Sequence, residues 1–189
     1  MIDALRDYLT QQLGTDTEKL DEVLACFKPL SARRNELLLQ QGTVCRHVYF
    51  VAEGCLQVYS SQADGNETTR DLITEANWCS ELISFGTQQP ANENIRAVEP
   101  TLLCALERKD FQRLTETVPA FDRMYKAILE ASYANSVYRL NTFVALPALE
   151  RVRWLMAYRP GLMARLPSKL IASYLGISQE TLSRLKGQL

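Results

Sequence analysis

Residues Ser168 to Leu189 read SKLIASYLGISQETLSRLKGQL. Ile171 and Leu175 stand four apart, on one face of a short helix. Gly176 follows, where a tight turn needs a residue that tolerates positive φ. Ile177 plugs the corner and Ser178 is a good N-cap. Leu182 and Leu185 give a second helix its buried side. Ala172 lies four residues before Gly176, where two helices cross closely and a larger side chain would push them apart. The spacing predicts a helix-turn-helix. Gln179, Glu180, Thr181, Ser183 and Arg184 are left exposed on its second helix. Such side chains hydrogen-bond base edges and phosphates in a major groove, so the pattern points to double-stranded DNA.

The distribution of charge agrees. The 189-residue chain has a net charge of −1. From Arg151 onward there are seven basic residues (Arg151, Arg153, Arg159, Arg165, Lys169, Arg184 and Lys186) against Glu180 alone, so this tail carries +6 and the rest −7. A basic module on an acidic body is the electrostatic footprint of a regulator with a DNA-binding end. Lys169 and Lys186 therefore join the predicted DNA contacts.

Composition excludes several classes. The apolar fraction is 47 %, enough for one large domain or two small ones. No apolar run approaches the ~20 residues of a membrane span. The opening MIDALRDYLTQQLG is not a signal peptide, because acids interrupt it and it has no apolar core. A cytoplasmic protein without membrane contact is expected. Cys26, Cys45, Cys55, Cys79 and Cys104 are scattered with no CxxC spacing, which reads as buried thiols in a reducing compartment. His47 is the single histidine, so there is no HExxH and no histidine-rich cage. A jelly-roll metalloenzyme uses several histidines. The chain reads as a non-enzyme with no metal and no cofactor.

Upstream the signals change twice. Ile2, Leu5, Leu9 and Leu13 repeat at helical spacing up to Gly14. Thr15 with Glu18 forms a capping-box pattern for a second helix with Leu20, Val23, Leu24 and Phe27 inward, ended by Pro29. From about Ser31 to Leu106, short β-rich runs are predicted at Leu37–Leu39, Val48–Val51, Cys55–Tyr59, Thr69–Ile73, Ile95–Val98 and Leu102–Leu106. Asp64-Gly65-Asn66 is a strong hairpin signal. Trp78 to Asn94 breaks the strand pattern, as a surface loop or a ligand cassette does. Helix resumes at Lys109, and a long helix is predicted from about Ala120 to Ala145. Leu129, Tyr133, Ser136, Leu140 and Phe143 repeat at 3.5 residues, the period of two helices lying along each other. Packing on the chain's own sheet is the alternative. Pro147 then acts as a hinge.

These pieces describe an α+β chain. An antiparallel, jelly-roll-like β-roll with flanking helices occupies 1–118, a long dimerisation helix 119–146, and a helix-turn-helix domain 147–189. This layout resembles the Crp/Fnr family of bacterial transcription regulators over nearly the whole length. LLLQQGTVCRHVYFVAEGCLQVY resembles the first half of a cyclic-nucleotide-binding roll, with Gly42 and Gly54 at its turns. Glu81-Leu82 resembles the opening of the phosphate-binding cassette, Ala148-Leu149-Glu150-Arg151-Val152 the segment after the hinge, and ISQETLSRL the recognition helix. The compactness is similar to that of short Bacteroidetes-type members. The resemblance implies a homodimer paired through the long helix that reads an inverted repeat. It places Gln179, Glu180 and Arg184 at base edges and Ser178 and Thr181 at phosphates. RNA polymerase and a small-molecule effector are further implied partners. Ser136 falls near where family members bond a nucleobase across the dimer.

The departures from the family pattern matter more. A cyclic-AMP binder of this family carries Gly-Glu-Leu and, about ten residues on, an arginine with a hydroxyl neighbour. Here Ser80 replaces the glycine, and Ala91 and Asn92 stand where the arginine and its partner should be. Glu93 adds a negative charge. An unpaired buried phosphate beside an acid would cost several kcal/mol, so the pocket around Glu81, Leu82, Ala91, Asn92 and Ser136 is expected not to bind cyclic AMP. Arg96, the nearest basic residue, is expected on the other face of its strand. GLMARLP leaves little room for a β-hairpin, and a chain stopping at Gly187-Gln188-Leu189 is expected to lack a wing. Lys169, Lys186 and Arg165 would compensate at the phosphates. The alternative reading is a small-molecule-binding β-roll protein whose helix-turn-helix serves assembly.

Overall fold

A computed structural model describes residues 1–13 and 17–188. Gly14 and Thr15, where the first helix was expected to end and the capping box to begin, lie outside the described residues. Helix α1 (Ile2–Leu13) buries Leu5 and Leu9, and α2 (Leu20–Ala25) buries Leu20, Val23 and Leu24. The chain then enters strand β1 (Phe27–Ala32). Phe27 was expected on the inner face of the second helix and Pro29 at its end; both lie in this strand instead. Among the described residues the strand sits at a sheet edge, paired with β8, where a residue lacking an N–H is tolerated.

The roll continues through β2 (Leu37–Leu39), β3 (His47–Glu53), β4 (Leu56–Ser61), β5 (Glu67–Ile73) and β6 (Trp78–Cys79). Helix α3 (Leu82–Thr87) interrupts it before β7 (Asn94–Ala97) and β8 (Thr101–Glu107). Two four-stranded antiparallel sheets result, ordered β1-β8-β3-β6 and β2-β7-β4-β5. This is the expected α+β roll. At the expected hairpin, Gly65 takes φ +82° and the Gln62 N–H donates to the Asn66 carbonyl at 2.9 Å. Gly54 has no alternative: a Cβ there would sit 2.7 Å from the Thr101 Cα. The inner faces of the two sheets, with Tyr49, Val51, Leu56, Val58, Ile95 and Leu103, form one core.

Helix α4 (Arg108–Thr117) leads into α5 (Pro119–Ala145), a helix of 27 residues. Its first turns bury Phe121 and Met124 in a second core with α1, α2 and β8. Leu146 and Pro147 break the helix, and α6 (Ala148–Tyr158), α7 (Leu162–Arg165), α8 (Ser168–Leu175) and α9 (Gln179–Lys186) follow. Where a β-hairpin had no room, the chain makes the single turn of α7. The third core crosses the expected 118/147 division: Cys55, Leu72 and Val98 of the roll are packed with Val152, Leu155, Ile171 and Leu175. No helix among the described residues is long and apolar enough to cross a membrane.

Candidate nucleic-acid interface and effector pocket

Helices α8 and α9 are joined at Gly176, where the sequence places the turn. Gly176 takes φ +64° between them, and the Ile177 N–H donates to the Ala172 carbonyl at 3.0 Å. A Cβ on Gly176 would press on Arg151 Nη1 at 3.3 Å and on the Phe143 ring. Ser178 caps α9, its hydroxyl accepting from the Thr181 N–H at 3.1 Å. Ile171, Leu175 and Leu182 are fully buried and Leu185 nearly so. Gln179, Glu180, Ser183 and Arg184 are exposed on the opposite side, with Thr181 half-buried. The Glu180 carboxyl is held below its ordinary pKa by a backbone N–H and the Ser178 hydroxyl. Lys169 is exposed, and Lys186 Nζ lies 3.5 Å from Ser168 Oγ.

The basic tail is divided by its contacts. Arg151 bridges the two helical segments, donating to the Leu146 and Leu175 carbonyls at 3.1 and 2.9 Å. Arg159 donates to Thr74 Oγ1 at 3.2 Å and lies 3.9 Å from Asp71. Arg165, expected to help at phosphates, instead binds Glu75 at 2.6 and 2.9 Å and also Glu99. Those carboxylates face it once α7 docks on the roll, so its charge is already neutralised. The Arg165 guanidinium holds the Glu75 carboxyl down at about 2. The Thr69 N–H donates to Ser173 Oγ at 2.9 Å, tying β5 to α8. Arg139 of α5 lies over the Tyr174 ring at 4.2 Å and donates to its carbonyl at 3.2 Å.

The cassette region uses its polar groups on itself. Glu81 is buried and caps α3, accepting from the Ser84 N–H at 2.6 Å. The Ser84 hydroxyl accepts from the Cys45 N–H at 2.9 Å and donates to the Gln89 carbonyl at 2.5 Å. Ser80 donates to the His47 carbonyl at 3.0 Å. Leu82 is exposed. Ala91 is buried in the inner core, fixed by backbone hydrogen bonds to Gly42 and Thr43, both 2.8 Å. Asn92 is exposed. Arg96 lies on the outer face as expected, bound to Gln57 and Glu67 and stacked over Tyr59. Sequence reasoning missed the guanidinium that does reach the cassette: Arg70 of β5, whose Nε donates to both Glu93 oxygens at 2.6 and 2.8 Å. Nothing local marks it, because a bulge in β5 brings it there.

The middle of α5 stands clear of its own chain. Every residue from Leu129 to Tyr138 is exposed, Tyr133 at 73 %. Ser136 is among them, its hydroxyl turned back to the Ser132 carbonyl at 2.8 Å. Leu140 is exposed too. Phe143, assigned to the same seam, instead turns inward against Trp154 and beneath the Arg139 and Arg151 guanidiniums. The packing of α8 on the last turns of α5 draws it there. Val137 and Val144 continue the exposed apolar stripe in its place.

The five thiols are free and buried. Burial pushes the Cys55 thiol up to about 12 and raises those of Cys26, Cys79 and Cys104. Among the described residues, no three His, Cys, Asp or Glu side chains gather as a metal site.

Residues 29–118 match the family described as the cyclic nucleotide-binding domain. The chain is 26 % identical over 176 residues to the cyclic AMP receptor protein of Thermus thermophilus, spanning 91 % of this chain and 81 % of that protein. The structure of FixK2 from Bradyrhizobium japonicum is similar with a TM-score of 0.74 at 18 % identity, covering 86 % of this chain and 84 % of that one. The c-di-GMP-responsive global regulator CLP of Xanthomonas campestris gives 0.72 at 18 %, covering 92 % and 91 %. Residues 29–118 thus resemble a cyclic nucleotide-binding domain, and the chain shares its fold with these solved structures.

Proposed function

We propose that this protein is a sequence-specific DNA-binding transcription regulator, a homodimer that reads an inverted repeat. One observation carries the reading: α9 presents Gln179, Glu180, Ser183 and Arg184 to solvent on a helix whose other side is anchored by Leu182 and Leu185. Arg184 binds guanine bidentately, and Glu180 accepts from cytosine N4. Ser178 and Thr181 sit where phosphates pass the helix start, with Lys169 and Lys186 flanking. The exposed stripe on α5 supports pairing through that helix. Two dyad-related copies of α9 imply half-sites about one helical turn apart. With Arg151, Arg159 and Arg165 committed to internal contacts, few cations remain for phosphates, so binding is modest and strongly salt-dependent.

The roll's pocket does not take cyclic AMP in this reading. Glu81 is bonded within α3, and Ala91 offers no cation. The roll has either lost its effector or takes a different small molecule, which acts by a shift in the angle of α5 and α6 about Pro147. The protein is a regulator rather than an enzyme.

The test is selection from a randomised duplex pool at moderate salt, with and without cyclic AMP. An enriched inverted repeat unchanged by the nucleotide is expected. Absence of enrichment in both conditions would transfer the helix-turn-helix to the assembly role. Enrichment only with cyclic AMP would overturn the reading of the pocket.

A further inference from the structure

We infer that Glu93 is a built-in anion that occupies Arg70 and bars phosphate-bearing ligands from the roll, and that neutralising it opens a latent anion site centred on Arg70. This rests on the reading that the wild-type pocket does not bind cyclic nucleotide.

The geometry starts in β5. Val58 of β4 pairs with Asp71 and Tyr59 pairs with Thr69, so Arg70 is the extra residue of a β-bulge. A bulge re-aims the side chain it adds. Thr69 keeps to the outer face, where Gln57 Nε2 donates to its hydroxyl at 2.8 Å. Arg70 reaches across β4 to the end of the cassette. There Glu93 precedes β7, two residues before the core residue Ile95. The guanidinium Nε lies 2.6 and 2.8 Å from the two carboxylate oxygens. The Glu93 side chain is only 17 % exposed and that of Arg70 48 %, so the carboxylate is the deeper partner and the arginine the one that solvent ligands reach.

A carboxylate chelated in this way offers a guanidinium what a phosphate would offer: paired oxygens and a negative charge. Neutralising Glu93 removes the carboxylate that Arg70 Nε binds.

The experiment compares wild type, Glu93→Gln, Glu93→Ala and the double variant Arg70→Gln/Glu93→Gln. Calorimetry with cyclic AMP and with inorganic phosphate is read beside the Arg70 Nε–Hε signal in nitrogen-15 spectra. Wild type is expected to bind neither probe. Glu93→Gln and Glu93→Ala should gain binding at least about tenfold tighter than wild type, the scale of one charged hydrogen bond, with the Arg70 signal moving on titration. The double variant should lose that gain. Unfolding curves establish that each variant is folded, and Glu93→Ala serves where Glu93→Gln is not. Binding by wild type as tight as by the variants would overturn both this inference and the pocket reading above. No gain in either Glu93 variant, or a gain that survives loss of Arg70, would overturn this inference alone.

Discussion

In α3 the polar side chains turn inward, and in α9 they turn outward. Glu81 caps its own helix, Ser84 joins two backbone groups, and Gln88 donates to the Phe85 carbonyl at 2.9 Å. In α9 one side chain, Ser178, makes the cap, while Gln179, Glu180, Ser183 and Arg184 remain in solvent. Both segments are short, and both stand out in the sequence as candidate binding segments. The difference lies in what surrounds them. The cassette must close the end of a roll, so its buried polar atoms need partners of their own. The α9 helix lies at the surface, anchored by two leucines, and its outer face owes nothing to the fold. Resemblance of sequence marks where a site would be; the state of its hydrogen bonds decides whether its groups are available.

The sharpest way to break this comparison is through the core that joins the two regions. Ile171→Ala empties a fully buried position shared by the hairpin and the roll, and should cost about 2–5 kcal/mol. Urea unfolding should remain a single transition. Two separate transitions would mean that the helix-turn-helix is energetically independent of the roll.

Arg184→Ala tests the outward face. It should leave the melting temperature unchanged and weaken binding to the selected duplex by about 1–3 kcal/mol, with relaxed preference at one base. A uniform loss across all sequences would make Arg184 a phosphate contact.

Glu81→Ala tests the inward face. Loss of a buried cap should destabilise the protein by about 1–2 kcal/mol in chemical denaturation. The selected DNA sequence should not change. A variant as stable as wild type would show that the Glu81 bond contributes nothing net.

The smallest effect concerns the seam between the regions. Glu75 is depressed to about 2 in the folded protein by Arg165, from 4.5. A depressed carboxylate adds stability above its unfolded pKa and loses it as pH falls through the folded one. Stability should therefore decline from about 4.5 towards 2. The Glu75 side chain is 38 % exposed, so solvent screening limits the contribution to about 1 kcal/mol. Glu75→Gln should flatten that part of the pH profile; an unchanged slope would assign it to other carboxylates.

Much of the architecture was legible from local signals. The Gly176 turn, the Ser178 cap, the Asp64-Gly65 hairpin and the unbroken run before Pro147 each rest on residues within a few positions of one another, and backbone preference acts at that range. The sequence by itself also determined that no arginine stands at Ala91 and that Arg96 faces away. Tertiary structure alone decided the rest. It placed Pro29 in an edge strand and turned Phe143 inward. It drew Arg159 and Arg165 off the basic tail and onto the roll, and carried Arg70 over a bulge to Glu93. Each of these is a pairing between groups far apart in the chain. Such a pairing has no periodicity to read, because it comes into being only when the two surfaces are brought together and each buried charge must find its partner.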